Sequence, residues 1–142
     1  MKKKIFGALI VLFIVIQFIP YGSDIKEVKD SKPFQFDSIQ TKVLFDRACA
    51  DCHSNYTKWP WYSKIAPISW AVVHHVDEGR EHFNISTWGV QKKNKGDEAA
   101  EELEEGEMPL KSYVLAHPEA KLTANETRQL INGLEKTFGK ED

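Results

Sequence analysis

Cys49-Ala50-Asp51-Cys52-His53 contains both cysteines of a 142-residue chain, two residues apart and followed at once by a histidine. This is C-x-x-C-H, the attachment spacing of a c-type haem. Two thiols one helical turn apart can each bond a vinyl group of the porphyrin, and the adjacent imidazole then comes beneath the iron as proximal ligand. Two rival chemistries fit the chain less well. A structural zinc site needs about four N or S ligands at matched spacing, and a second cysteine pair is missing. A thioredoxin-like pair belongs at a helix start after a strand, in an α/β pattern that this sequence does not show, and a plain structural disulfide is the other rival reading of the two cysteines.

An iron held by His53 can be closed on its other side or left open. Met108 is the first candidate for the sixth ligand. It lies 55 residues after His53, in Gly106-Glu107-Met108-Pro109, and the only other methionine is Met1. Pro109 restricts Met108 to extended geometry, which helps to aim its sulfur; the competing role for Met108 is that of a core gap-filler. The alternative ligands are His75 and His82, seven residues apart and so on one face of a helix. Trp59, Trp70, Arg80 and Tyr113 are candidates for haem-pocket contacts or for hydrogen bonds to the propionates.

Outward from the motif the periodicity is helical. Val43, Leu44, Phe45 and Ala48 predict a first helix that runs into Cys49. Pro60 and Pro67 bound a loop with Trp59, Trp61 and Tyr62. Pro67 suits the first turn of a helix over residues 68–83, with Gly79 as its point of interruption. Residues 97–107 read as a short acidic helix around Ala99, Ala100 and Leu103, stopped by Gly106 and Pro109. Thr123 with Glu126 forms a capping box, Leu130, Leu134 and Phe138 follow four apart, and Gly139 closes the helix. No strand run or internal repeat appears. The expected fold is all-α, a small helical domain with long loops, and long loops in a small domain usually wrap something.

The composition agrees with one folded domain: 42% of residues are hydrophobic and 28% charged, with eight Gly and six Pro, which excludes collagen-like repetition and wholesale disorder. The formal charge is −2. With Lys2, Lys3 and Lys4 set aside, 16 basic residues face 21 acidic ones and leave −5, so nucleic acid is not an expected partner.

Those three lysines precede an apolar run over residues 5–19, the layout of a secretory n-region and h-region. The chain is expected to be exported. No small-x-small cleavage site follows, which favours an uncleaved anchor over residues 5–21, although the alternative of a removed signal peptide stands. As a helix this segment spans about 25 Å, short of a hydrocarbon core of about 30 Å unless flanking lysines snorkel or the bilayer thins. The positive-inside tendency keeps the lysines in the cytoplasm and places the rest on the periplasmic side of the cytoplasmic membrane. The expected organisation is a signal-anchor or signal peptide over 1–21, a linker over 22–37 and a c-type haem-binding domain over 38–142.

Taken together these residues resemble the class I c-type cytochromes, and more closely the exported single-haem "haem-binding domain" family. The matching stretches are Cys49 to Asn55, Trp59-Pro-Trp-Tyr62, Ile65 to Trp70, His75-Val76 with Glu78-Gly-Arg80, Asn84 with Ser86 and Trp88, Gly106 to Pro109, and Tyr113 with His117-Pro118. The resemblance implies one haem c, bound covalently at Cys49 and Cys52, with His53 and Met108 as axial ligands. The function expected is that of a mono-haem cytochrome passing single electrons between other redox proteins as donor and acceptor. The alternatives are a peroxidase-like haem enzyme and a gas or redox sensor with a displaceable sixth ligand. The seven acidic residues of the 97–107 run, directly before Met108 and with no basic residue among them, can steer a basic partner toward the haem edge or serve only as a solvated helix face.

Overall fold

Three lysines followed by an apolar run without a Pro carry a helix from the amino terminus, α1, Lys2–Ile16. The computed structural model describes residues 1–21 and 33–140. Fifteen residues make a helix of about 22 Å, and no described helix is long and apolar enough to cross a membrane. The helix expected over residues 5–21 therefore starts earlier and stops sooner. Beyond Ile16 the Gln17 side chain turns to Ala66, donating from Nε2 to its carbonyl and accepting its N–H at Oε1, both at 3.0 Å. The apolar side chains of α1 from Ile5 to Val15 are exposed, and none in the helix is buried.

Ser38 starts the first core helix, α2, Ile39–Ala48, by accepting the N–H of Thr41 at 3.1 Å. Leu44, Phe45 and Ala48 are buried, whereas Val43 faces solvent. The helix runs into Cys49, as the periodicity predicts. It ends there, and the chain restarts as α3, Ala50–His53, with the N–H groups of Cys52 and His53 donating to the Cys49 carbonyl at 3.1 and 3.0 Å. A 3-10 turn over Trp61–Lys64 leads to α4, Ile68–His82, with Pro67 at its N-cap. Gly79 does not interrupt α4; it is buried within it, against Cys52.

A 3-10 turn over Gly96–Glu98 opens into α5, Ala99–Glu104, which buries Ala100 and Leu103. Gly106, at φ +77, then turns the chain in a left-handed conformation that glycine adopts without cost. A short helix that the periodicity did not predict, α6, covers Lys111–Ala116. The last, α7, is Ala124–Phe138, with the Thr123–Glu126 capping box formed and Gly139 at its end.

All regular elements among the described residues are helical, in keeping with the expected all-α class. Helix α7 packs on α2 and α5, and α3 packs on α4. Leu44, Phe45, Phe83, Leu103, Leu130 and Leu134 join in one core. Of the expected linker, residues 22–32 lie outside the described residues. Its end belongs to the domain: Phe34 meets Trp88 and Phe138 at ring-centroid distances of 5.3 and 5.4 Å, and Phe36 meets Phe45 at 5.1 Å. Phe34 and Phe36 are both half-buried, because each ring removes a large apolar area from water, which outweighs the polar composition of the residues before them.

Candidate functional site

Where α3 and α4 face the stretch from α5 to α6, a cavity of about 340 Å³ opens into the core. Cys49, Cys52, His53 and Met108 all line it, together with His75 and His82. Phe45, Leu103 and Leu134 give it an apolar floor shared with the core cluster. A volume in the range of cofactor sites, apolar walls and a few convergent polar groups are the properties of a pocket that buries a largely apolar ligand.

His53 is the best-fixed group in it. The side chain is buried, its ring stacks on Phe83 with centroids 4.0 Å apart and planes 13° from parallel, and Nδ1 lies 3.2 Å from the Phe83 carbonyl oxygen. A carbonyl can only accept, so Nδ1 carries the proton and the lone pair of Nε2 is left for a metal. Burial lowers the imidazole pKa to about 4, against the opposing pull of the Phe83 and Gly79 carbonyls. At neutral pH the ring is thus uncharged, the form that ligates.

The loop that follows His53 is tied down from three sides. Arg80 donates from Nε to the Ser54 carbonyl at 3.0 Å and from a terminal nitrogen to Thr57 Oγ1 at 3.1 Å. Asn84 donates to Asn55 Oδ1 at 2.8 Å and accepts the N–H of Ser86, while Ser86 Oγ accepts the N–H of Asn55. Buried polar groups satisfied in this way hold one geometry.

The two thiols are kept protonated. Burial, then the neighbouring Cys52 and Asp46, pushes Cys49 up to about 12; burial, then Asp51, pushes Cys52 up to about 11, with Arg80 pulling the other way. A thioredoxin-like nucleophile needs the opposite shift. Among the described residues no group of three or more His, Cys, Asp or Glu could hold a metal ion. A haem needs only the two axial ligands from the protein, so the donor set fits a porphyrin and not a four-ligand metal.

Of the remaining candidates, Tyr113 lines the cavity and donates its hydroxyl to Asp51 Oδ2 at 2.7 Å, an acceptor that together with burial raises the phenol pKa well above its ordinary value. Trp59, Trp70 and Arg80 are not among the lining residues. Trp59 is exposed, Trp70 lies 6.3 Å from the ring of Tyr21, and Arg80 acts on the loop after His53. The sequence expectation missed Phe83, which both stacks on His53 and accepts from it, and Asp51. Asp51 stands inside the motif, but nothing in the sequence pairs it with a tyrosine 62 residues away.

Residues 11–136 match the model of a family described as the haem-binding domain. No curated protein and no solved structure matches the chain.

Proposed function

Because the chain belongs to the haem-binding domain family, and its cofactor is accordingly a haem, we propose that it is a mono-haem c-type cytochrome that carries single electrons between redox proteins outside the cytoplasm. The observation that carries this reading is the convergence of Cys49, Cys52, His53 and Met108 on one cavity. Cys49 and Cys52 would each hold the haem through a thiol, the S–H of each adding across one vinyl group to give one thioether bond. His53 offers Nε2 as the proximal ligand, held in orientation by the Phe83 carbonyl, a second contact of the kind that fixes the ring and strengthens it as a donor. Met108 offers its sulfur from a separate stretch of chain. As rivals to Met108, His75 and His82 are less well placed: both sit on α4, which packs on the cysteine-bearing α3 itself, and His82 is exposed. Met108 would hold the haem from a segment outside that packed pair.

When bound, the haem supplies a one-electron iron couple, whose potential an axial Met raises relative to a second His. The chain's part is to keep both ligands still and to exclude water with Phe45, Leu103 and Leu134. Exposed Glu101, Glu104, Glu105 and Glu107, with Glu98 and Glu102 in the cavity lining, form an acidic rim suited to a basic redox partner. The basic amino terminus and the exposed apolar α1 support export, with residues 1–21 as the targeting segment.

The test is the protein matured in a host able to attach haem c, compared with Met108→Ala. The expected wild type gains the mass of one haem and shows the near-infrared Met-to-ferric-iron band, which Met108→Ala lacks. A colourless chain of unaltered mass refutes the haem c reading, an unchanged spectrum in Met108→Ala moves the sixth ligand to His75 or His82, and rapid carbon monoxide binding by the reduced wild type replaces the carrier by an enzyme or sensor.

A further inference from the structure

The stretch that carries Met108 is held at both ends. Before it, the N–H groups of Glu107 and Met108 both donate to the Glu102 carbonyl, at 3.0 and 3.1 Å. After it comes α6, and there Tyr113 reaches back across the cavity to Asp51, at 2.7 Å, one of the two residues between the cysteines. No residue of α6 is buried, so little apolar burial fixes its position. A hydrogen bond to a carboxylate is about twice as strong as one between neutral groups, and this one is well braced. Asp51 Oδ1 accepts the N–H of Lys58 at 3.0 Å, and the Asp51 carbonyl accepts the Thr57 hydroxyl at 2.6 Å. On the other side the Tyr113 ring stacks on His117 with centroids 4.5 Å apart.

We infer that the Asp51–Tyr113 hydrogen bond is a latch that holds Met108 over the iron and so sets how seldom the sixth position opens to an outside ligand. The inference rests on Met108 being that ligand. Asp51 and Tyr113 act as positioning residues through the chain they tie. With the bond closed, the Met108 segment is strung between Glu102 and α3, and its sulfur has few alternatives to the cavity. With the bond cut, the next side-chain tie is His117 to the Tyr62 hydroxyl at 2.7 Å, nine residues beyond Met108, and a longer free segment has more conformations in which the sulfur is away from the iron. An external ligand binds only when Met108 is off, so its observed association rate follows the open fraction.

The experiment uses holoprotein and reads carbon monoxide association to the reduced form together with the near-infrared band of the oxidised form. Tyr113→Phe keeps the ring and removes only the hydroxyl; it is expected to raise the association rate roughly tenfold and to weaken the band, the size of effect that follows from losing one charge-assisted hydrogen bond. Asp51→Ala should behave alike, while Asp51→Asn keeps an acceptor oxygen and stays within about threefold of the wild type. In a Met108→Ala background the sixth position is already open, and Tyr113→Phe should then alter the rate by less than about twofold, because coupled residues are non-additive. A general loosening of the fold would alter both backgrounds equally, and that result overturns the latch. So does a Tyr113→Phe protein with the wild-type rate and band, which leaves Met108 as ligand. A wild type without the band overturns the ligand assignment and the latch together. Should Tyr113→Phe fail to mature, the contrast between Asp51→Ala and Asp51→Asn decides by the same two readings, and equal behaviour of that pair overturns the proposal.

Discussion

Gly79 of α4 lies so close to Cys52 of α3 that a Cβ built on it would stand 2.9 Å from both the Cβ and the carbonyl oxygen of Cys52. The helix that backs the Cys49–His53 segment thus touches it backbone to backbone. Gly79→Ala gains about 1 kcal/mol of helix propensity but forces α4 away from α3, and overpacking of this kind costs about 1–3 kcal/mol. The expected outcome is a lower melting temperature of the holoprotein and less haem per chain, from thermal circular dichroism and the ratio of haem to protein absorbance. An unchanged melt would show that α4 shifts freely.

The second close approach joins α7 to α2. A Cβ on Gly133 would stand 2.1 Å from Thr41 Oγ1 and 2.6 Å from its Cγ2. Gly133→Ala is therefore expected to destabilise by about 1–3 kcal/mol. Thr41→Ala removes both obstructing atoms, so the double variant should recover part of the loss, read as a non-additive term in chemical denaturation. Purely additive losses would place the strain elsewhere.

Removing the cofactor should remove the fold. The cavity cuts into the core between Phe45, Leu103 and Leu134, and roughly 400 Å² of porphyrin area buried there contributes on the order of 10 kcal/mol before ordering costs. A protein with Cys49→Ala and Cys52→Ala, made without haem, is expected to lose most helical ellipticity and to show no cooperative melt. A native-like spectrum with a sharp transition would refute this.

Glu126 should make stability depend on pH in acid. The Thr123 backbone N–H, then Arg47 and the Thr123 hydroxyl, hold its carboxyl at about 2 rather than 4.5; the Arg47 contact is 2.7 Å. A pKa depressed by folding means that the unfolded chain takes up the proton first. The stabilisation is complete above about 4.5 and is lost as pH falls toward about 2. The melting-temperature difference between wild type and Glu126→Gln should be constant near neutrality and shrink across that interval. A difference that did not vary with pH would remove the ion pair and capping carboxylate as its cause.

Local patterns carried over into the structure where they depended on near neighbours. The Thr123–Glu126 capping box formed as its spacing predicts, the 3.6-residue periodicity of Leu130, Leu134 and Phe138 produced α7, and Ala100 with Leu103 buried the inner face of α5. The same logic failed at Gly79, because a glycine inside a helix looks like a break until the neighbour that needs its missing Cβ is known. It failed for Val43, which matches the period yet lies outside the buried stripe, and for α6, whose six residues carry no buried position from which a period could be read. Phe34 and Phe36 looked like part of a tether because a polar neighbourhood outvoted two aromatics.

The C-x-x-C-H spacing, the lone candidate methionine beside Pro109 and the helical class were all legible along the chain, since each follows from residues within one or two turns of one another or from a simple count. Packing alone decided that Met108 and His53 would share a cavity, that Phe83 would turn its carbonyl and its ring to the same imidazole, that Arg80 would brace a loop instead of facing that cavity, and that Asp51 would meet Tyr113. These contacts join segments 23 to 62 residues apart. Their partners are chosen by which helices can approach most closely, and that is a property of backbone geometry in three dimensions which no local spacing encodes.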